Sequence, residues 1–281
     1  MTHLWNQFWM REAPPHALAL LRICLGIFLL IYASTYAPHI TLLFSDAGLV
    51  LPVYSSVPSP LVAHTLYAAG ILALVGFTTG AYFRICSVVC FLLGLYYWQL
   101  QLHMFPSSYN RILCFSLLVL LFSGAHKTFS YDAYRTQGSW TAWEPISVLP
   151  QHLIAIQISL TFIAVSLQKW ILPAWQTGEI LAYTFIGRWS TPLSELIARQ
   201  NVPVEMYDIV ILMVKVLQPL AGIGVWIPRL RLASILFMHS FLILVATLLG
   251  IWWFIFLIPA CILFYSPEQI YAYLKGKYDI S

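Results

Sequence analysis

Charged side chains are scarce in this sequence: only 9% of its 281 residues are Asp, Glu, Lys or Arg, whereas 60% are hydrophobic. A typical soluble domain is about 25% charged and about 45–50% apolar. So few charges do not cover the surface of a water-soluble chain of this length. The composition excludes a soluble globular enzyme, a disordered chain and a nucleic-acid-binding module, and it predicts a polytopic membrane protein with no nucleic-acid partner.

Motifs for metal and nucleotide binding are also absent. The five cysteines lie in apolar stretches, form no CxxC and are odd in number, so no disulfide framework is predicted. The sequence has no HExxH, no HxxH and no cysteine–histidine cluster with metal-ligand spacing. It also lacks a GxSxG nucleophile motif, a P-loop and a dinucleotide fingerprint. We therefore expect no metal ion to be bound.

Long apolar stretches make up much of the sequence. A membrane-spanning helix needs about 20 mostly apolar residues, and eight stretches qualify, although the fourth and the eighth are short. The sequence therefore predicts an all-α, polytopic bundle of about eight transmembrane helices. The predicted spans are residues 17–36, 61–79, 84–102, 111–124, 149–167, 207–226, 230–248 and 250–264.

Lysine and arginine in the short loops predict the orientation. Basic residues precede the first span and follow the second, fourth, sixth and eighth, whereas the loop of residues 37–60 has none. Both termini are therefore expected to be cytoplasmic. We divide the chain into an amphipathic N-terminus of residues 1–16, a transmembrane domain of residues 17–267 and a cytoplasmic tail of residues 268–281. Residues 168–206 break the alternation of charge and predict an interfacial or re-entrant segment.

Ionisable residues inside membrane spans are costly and indicate functional sites by default. Arg22 lies one turn into the first span, Arg111 opens the fourth, Lys169 follows the fifth, and Lys215 lies near the middle of the sixth. Snorkelling to the headgroups is the alternative for the arginines, and an interface anchor is the alternative for Lys169. Asp208, two helical turns before Lys215, is its candidate ion-pair partner. Because cations outnumber acids at membrane depth, we expect either lysines without charge or a bound anionic group.

Motifs around the fifth and seventh spans carry a family resemblance. In LPQHLIAIQISLTFIAVSLQKWILPAWQTGEILAY, a glutamine-containing helix ends in Lys169 and is followed by Trp175 and Gly178. His239 lies within FMHSFLILVATLLGIWWF, and Arg22 lies within ALLRICLGIFLL, ahead of FSDAGLVLP. These motifs resemble the HTTM domain, the membrane domain shared with vitamin K-dependent gamma-carboxylases.

The resemblance covers about residues 14–267 and implies a reaction. In the carboxylases, the lysine that Lys169 matches deprotonates vitamin K hydroquinone, a lipid-soluble acid that reaches it from the bilayer. The resemblance thus implies a quinol-using enzyme with Lys169 and His239 as catalytic residues and a vitamin K or menaquinol-type quinone as cofactor. The expected substrate- or cofactor-binding residues are Arg22, Asn110, Arg111, Trp175, Gly178 and Lys215. For His239, a structural histidine with a hydrogen-bond partner is the alternative.

Two departures from the carboxylase pattern limit what the resemblance implies. The carboxylases have Asn-His where this chain has Asn110 and Arg111, and that histidine is tied to carboxylation. Bacterial members often have an acid in the sixth span, where this chain has Lys215. The fold is therefore expected to carry over even where the reaction does not.

Three functions stay open at this point. The first is a membrane enzyme that acts on a quinol or another lipid-soluble substrate, related to the epoxidase and carboxylase chemistry. The second is an accessory or maturation factor for a secreted peptide or a partner redox protein, because a chain with so little soluble part is expected to need a partner. The third is an anion transporter, although no inverted repeat is visible. Membrane lipids are expected partners in each case, and the resemblance favours a bacterial inner membrane.

Overall fold

A computed structural model describes residues 2–50, 57–101 and 108–278. The structure is all-α and 75% helical. Its only sheet within the described residues is one antiparallel pair of two-residue strands, β1 (Glu12–Ala13) and β2 (Ile146–Ser147). The all-α prediction is confirmed.

The described chain contains both long apolar helices and short connecting ones. In chain order they are α1 (Thr2–Trp9), α2 (His16–Ser34), α3 (Ile40–Phe44), α4 (Pro60–Thr79), α5 (Phe83–Gln101), α6 (Ser108–Leu121), α7 (Tyr131–Gln137), α8 (Leu149–Ile171), α9 (Glu179–Ile186), α10 (Pro192–Ala198), α11 (Val204–Gly224), α12 (Arg231–Leu249), α13 (Leu257–Ala260) and α14 (Pro267–Tyr278). Single 3₁₀ turns lie at Ala37–His39, Pro173–Trp175, Trp252–Phe254 and Cys261–Phe264.

Six helices of the described chain, rather than eight, are long and apolar enough to cross a membrane: α2, α4, α5, α8, α11 and α12. The predicted fourth span is the 14-residue helix α6, which is too short to meet that length. The predicted eighth span, residues 250–264, is broken. Gly250 has left-handed geometry (φ 63°) and ends α12, and only 3₁₀ turns and the four-residue α13 follow it. The broken stretch counts as a seventh span only when it is joined with α14.

Helix ends differ from the predicted boundaries by a few residues. Helix α8 continues beyond residue 167 to Ile171, so Lys169 lies in its last turn. Helix α11 already begins at Val204. Between them lie a 3₁₀ turn and the short helices α9 and α10. The predicted third span ends at Leu102, which lies outside the described residues.

The chain divides into two compact units: unit 1, Met1–Ile154 with Tyr265–Ser281, and unit 2, Ala155–Phe264. In unit 1, α2 packs against α4 and α14. Leu18, Leu21 and Leu25 recur at helical spacing on α2 and are fully buried. In unit 2, α11 packs against α9 and α12.

The outer faces of the long helices are apolar. On α4, Leu61 is 78% exposed and Leu72 is 73% exposed. A monomer in water rarely leaves contiguous apolar faces uncovered, whereas lipid tails cover them without cost. Together with the six long apolar helices, these faces indicate an integral membrane protein.

One carboxylate organises the turn between α4 and α5. Helix α4 ends at Gly80 with left-handed geometry (φ 69°), and the backbone N–H groups of Tyr82 and Phe83 donate to the carboxylate of Asp132 at 3.0 and 2.9 Å. These N–H groups lie at the start of α5, where a helix has no backbone acceptor to offer them. Asp132 therefore caps α5 from a distant part of the sequence.

Removing this cap is expected to destabilise the protein. We predict that Asp132→Ala lowers the free energy of unfolding by about 1–2 kcal/mol, because two N–H groups lose a charged acceptor. Glu144→Ala is the matched control, since Glu144 forms an exposed ion pair with Lys127 and such pairs contribute about 0–1 kcal/mol. Denaturant titration in detergent measures both variants. Equal losses for the two variants would show that Asp132 is not a cap.

Candidate functional site

Helices α8 and α11 are joined by hydroxyl groups that donate to backbone carbonyls. Ser166 Oγ donates to the carbonyl of Lys215 at 2.6 Å, and Ser159 Oγ donates to the carbonyl of Gly222. Both serines are buried. The indole of Trp226 donates to Ser159 Oγ at 3.1 Å and completes the contact. The two serines are seven residues apart on α8, and their partners are seven residues apart in the reverse order on α11. The two helices therefore pack antiparallel.

Neither of these two carbonyls has a hydrogen-bond donor within α11. Pro219 lies inside α11 and has no N–H, so the carbonyl of Lys215, four residues earlier, lacks its usual helical donor. Gly222 lies in the last four residues of α11, whose carbonyls have no partner within the helix. Ser166 supplies the missing donor for Lys215, and Trp170 Nε1 approaches the same oxygen at 3.4 Å. Pro219 thereby fixes which residue of α8 faces which residue of α11.

Lys169 extends from the end of α8 back into this helix pair. The register places it opposite Leu212, yet its ammonium donates to Gln218 Oε1 at 2.6 Å. Six residues separate these two positions on α11, which corresponds to about 9 Å along the helix axis. Side chains on a helix lean toward its N-terminus, which directs this one inward. Lys169 is 6% exposed and Gln218 is 2% exposed. The interface-anchor alternative for Lys169 therefore does not describe its geometry.

Aromatic rings, rather than carboxylates, surround the buried cations of unit 2. Lys169 Nζ lies 5.0 Å from the ring centroid of Trp175 and 5.9 Å from that of Phe241. Lys215, 5% exposed, lies 5.0 Å from the ring of Trp170. The ion pairs of the described chain join Arg11 with Glu268 and Lys127 with Glu144, all in unit 1.

Cation–π contacts of this kind contribute about 0.5–2 kcal/mol each, which is less than a buried charge costs. The described neighbours of each lysine therefore compensate a positive charge there only in part.

The carboxylate of Asp208 forms its hydrogen bond with another residue than Lys215. Its carboxylate accepts a hydrogen bond from the backbone N–H of Gly178. Gly178 is buried, and a Cβ at this position would collide with the backbone of Tyr207 and Asp208. The glycine thus permits the close approach that holds the segment after α8 against the start of α11. Gln176 adds to this by donating to carbonyls at the end of α8, among them that of Trp170 at 2.9 Å.

His239 does not face Lys169. Phe241, the α12 residue near Lys169, comes two positions later, and two positions are about 200° apart around a helix. His239 Nε2 lies 3.1 Å from the carbonyl oxygen of Ile258, which gives the half-buried ring a hydrogen-bond partner. This agrees with the structural alternative, while a catalytic role for His239 stays a prediction.

Arg22, in unit 1, contacts backbone carbonyls. Its guanidinium donates to the carbonyls of Phe77 and Thr78 in the last turn of α4, at 3.0 and 2.7 Å, and to that of Phe129 at 2.6 Å. Arg22 is fully buried. The carbonyls at the end of a helix lack intrahelical donors and carry partial negative charge. These contacts join α2, α4 and the segment before α7, and neither snorkelling nor exposure to a ligand is visible.

Asn110 and Arg111 lie on different sides of α6. Arg111 is exposed, whereas Asn110 is 8% exposed and lines an apolar cavity within unit 1. The structure thus places Lys169, Trp175, Gly178 and Lys215 in unit 2, where Lys169 lies against Trp175, and it places Arg22, Asn110 and Arg111 in unit 1.

Three residues of the site were not identified from the sequence: Ser166, Gln218 and Phe241. Gln218 carried a signal, because it is a polar residue within an apolar span, one turn after Lys215 and directly before Pro219. Ser166 and Phe241 carried none, because serine and phenylalanine are common in any membrane helix. Within the described residues, no group of three or more His, Cys, Asp or Glu side chains lies together as a metal site.

The role of Pro219 can be tested by a double-mutant cycle. We predict that Ser166→Ala lowers the free energy of unfolding by about 1–2 kcal/mol, because it leaves the Lys215 carbonyl without its hydroxyl donor. In a Pro219→Ala background the same change should cost less than half as much, since residue 219 then supplies an N–H. Unfolding in mixed micelles measures the cycle. Additive effects would contradict the account, and Thr161→Ala on the same helix is the control.

Comparisons with known proteins give one match. The model of the HTTM domain family matches residues 10–269. No curated protein and no solved structure matches the chain. The match covers nearly the whole sequence and confirms the resemblance that the motifs around Lys169 and His239 indicated. The chain belongs to the HTTM domain family.

Proposed function

We propose that this protein is a membrane enzyme that takes a proton from a lipid-soluble acid, a quinol, with Lys169 as the base. The observation that carries the proposal is the position of Lys169. Its amine is buried on the amide oxygen of Gln218, between two aromatic rings, and has no carboxylate partner in the described chain. A lysine that only stabilises a fold usually has an acidic partner when it is buried.

The geometry supports a proton transfer. An amine without a counter-charge in an apolar site is costly to keep as ammonium, so the neutral form, which has a lone pair, becomes accessible. The quinol hydroxyl would give its proton to Lys169 Nζ, leaving a quinolate beside the ammonium formed. Gln218 Oε1 accepts a hydrogen bond from either form of the amine and therefore holds Nζ in place throughout the transfer.

The surroundings of Lys169 fit an aromatic, membrane-soluble substrate. Trp175 and Phe241 offer rings against which a flat quinol ring can stack or pack edge to face. The last residue of α8 and the next one, Ile171 and Leu172, are exposed and apolar, which suits entry from the lipid phase. Lys215 supplies a second positive charge within unit 2, and we propose that it balances the quinolate.

We also propose that His239 is a second proton-transfer group. If Nε2–H donates to the carbonyl of Ile258, Nδ1 keeps a lone pair that can accept a proton. Roles for Arg22, Asn110 and Arg111 toward the substrate likewise stay predictions. We further propose that both termini are cytoplasmic, on the basis of the loop charges, and that the membrane is a bacterial inner membrane, on the basis of the family resemblance.

The test is to measure the quinone that the protein carries and turns over. We predict that lipid extracts of the protein, purified in mild detergent, contain an isoprenoid quinone by mass spectrometry. Lys169→Met should lower the bound quinone, or the rate of quinol consumption, at least about tenfold, because the amine that bonds the quinol oxygen and takes its proton is lost. Lys127→Met is the control, since this lysine is in an exposed ion pair of unit 1.

Each other result has a defined meaning. A Lys169→Met variant that unfolds at the same temperature as the wild type and keeps full activity would show that Lys169 is not the base. Absence of any quinone on the wild-type protein, together with a co-purifying second protein, would favour the accessory-factor function. Anion flux in reconstituted vesicles would favour the transporter.

A further inference from the structure

The segment that connects α8 with α11 forms an open groove in unit 2. Helices α8 and α11 are both long enough to cross a membrane and pack antiparallel, so residues 172–203 connect them at one end of the pair. A segment at the end of two spans lies at the bilayer surface, where lipid headgroups begin. The groove has a volume of about 510 Å³. Ile180, Tyr183 and Thr184, at helical spacing on α9, form one side of it.

One carboxylate and one guanidinium line this groove at opposite ends of α9. Glu179 is the first residue of the helix, and Arg188 lies two positions after its last residue. The eight residues of α9 extend over about 12 Å. Both side chains are exposed, and the ion pairs of the described chain join other residues, all in unit 1. The groove therefore favours a ligand that carries one group of each charge.

Aromatic side chains hold Arg188 in position. Its guanidinium carbon lies 4.4 Å from the ring centroid of Trp189, and Trp189 packs edge to face against Trp253 with 5.7 Å between the ring centroids. A guanidinium that stacks on a ring keeps its N–H groups in its own plane, where they can bind two oxygens of one phosphate. Arg188 is therefore suited to the negative group of the ligand, and a phosphate is the group that matches it.

Glu179 selects the positive group. An ionised carboxylate only accepts hydrogen bonds, and a primary ammonium offers three N–H donors. A quaternary ammonium offers none and is bound by cages of aromatic rings. In the groove Trp189 already stacks with Arg188, and Tyr183 is the other ring of the wall, so the described residues form no such cage. The matching ligand is a phosphate joined to a primary ammonium.

We propose that this groove binds the headgroup of phosphatidylethanolamine, with the phosphate on Arg188 and the ammonium on Glu179. Apolar side chains beside the groove identify the source of the headgroup as a lipid. Ile171, Leu172 and Ile186 are 78%, 47% and 65% exposed, and they adjoin groove residues along the chain. Acyl chains cover such side chains, whereas a soluble zwitterion leaves them bare. The site does not involve the Lys169 amine, so it is tested independently of the proposed proton transfer.

Native mass spectrometry of the full chain in detergent tests the proposal by measuring the tightest-bound lipid. The probes are dioleoyl lipids that differ only in the headgroup: phosphatidylethanolamine, phosphatidylcholine and phosphatidylglycerol. All three have the phosphate, but phosphatidylcholine lacks N–H donors and phosphatidylglycerol lacks the positive charge. We expect phosphatidylethanolamine to bind about threefold more tightly than either of the others, which is the size of one exposed charge pair.

Two variants separate the roles of the charged side chains. Arg188→Gln should weaken all three lipids, because each has a phosphate. Glu179→Gln should weaken phosphatidylethanolamine and strengthen phosphatidylglycerol, since the carboxylate attracts an ammonium and repels a headgroup of net negative charge. The controls are Arg199→Gln and Glu205→Gln, which change the net charge equally at exposed positions that do not line the groove. Both controls should keep the preference for phosphatidylethanolamine.

Other results would overturn the proposal. Equal binding of phosphatidylethanolamine and phosphatidylcholine would show that Glu179 does not select the ammonium. Control variants that weaken binding as much as the groove variants would show an effect of surface charge alone. Glycerophosphoethanolamine, the headgroup without acyl chains, would identify a soluble occupant if it displaced the lipid at equal concentration. A lower unfolding temperature of Arg188→Gln or Glu179→Gln without lipid would show that these side chains support the fold instead.

Discussion

Pro219 leaves the carbonyl of Lys215 without the N–H that an uninterrupted helix would supply, and unit 2 is arranged around that missing donor. In a membrane no water is at hand to replace it, so another side chain has to. Ser166 does so, with Trp170 close to the same oxygen. Because this contact and that of Ser159 with Gly222 set the register of α8 and α11, they also determine how deep the Lys169 amine lies.

The second feature of unit 2 is the kind of neighbour that its buried lysines have. Lys169 and Lys215 are buried within unit 2, and their neighbours are an amide oxygen and aromatic rings. Asp208, the acid that the sequence offers as a partner, accepts from Gly178 instead. An amide and a π-face stabilise an ammonium without fixing it permanently in the charged state, unlike a carboxylate. A base that must gain and lose a proton needs that kind of neighbourhood, which is why the arrangement agrees better with proton transfer than with a structural ion pair.

Long apolar helices were predictable because about 20 apolar residues in a row have few alternatives to spanning a bilayer. The predictions of α2, α4, α5, α8, α11 and α12 are confirmed on that ground. The spans predicted at residues 111–124 and 250–264 are not confirmed: the first is the short helix α6, and the second is broken after Gly250, where hydropathy does not show that a helix ends. The grouping of Lys169 with Trp175 and Gly178 followed from their closeness in sequence. Gln218 and Phe241 did not, because the rotation of one helix against another depends on contacts such as that of Ser166, which no periodicity records.

A structure of the protein determined by electron cryomicroscopy with an added isoprenoid hydroquinone tests the central claim most directly. The account predicts a quinol oxygen within hydrogen-bonding distance of Lys169 Nζ, with Gln218 still bonded to the amine and the ring against Trp175 or Phe241. A Lys169 side chain that extends outward to the headgroups, or that pairs with a carboxylate while the quinol lies elsewhere, would contradict it.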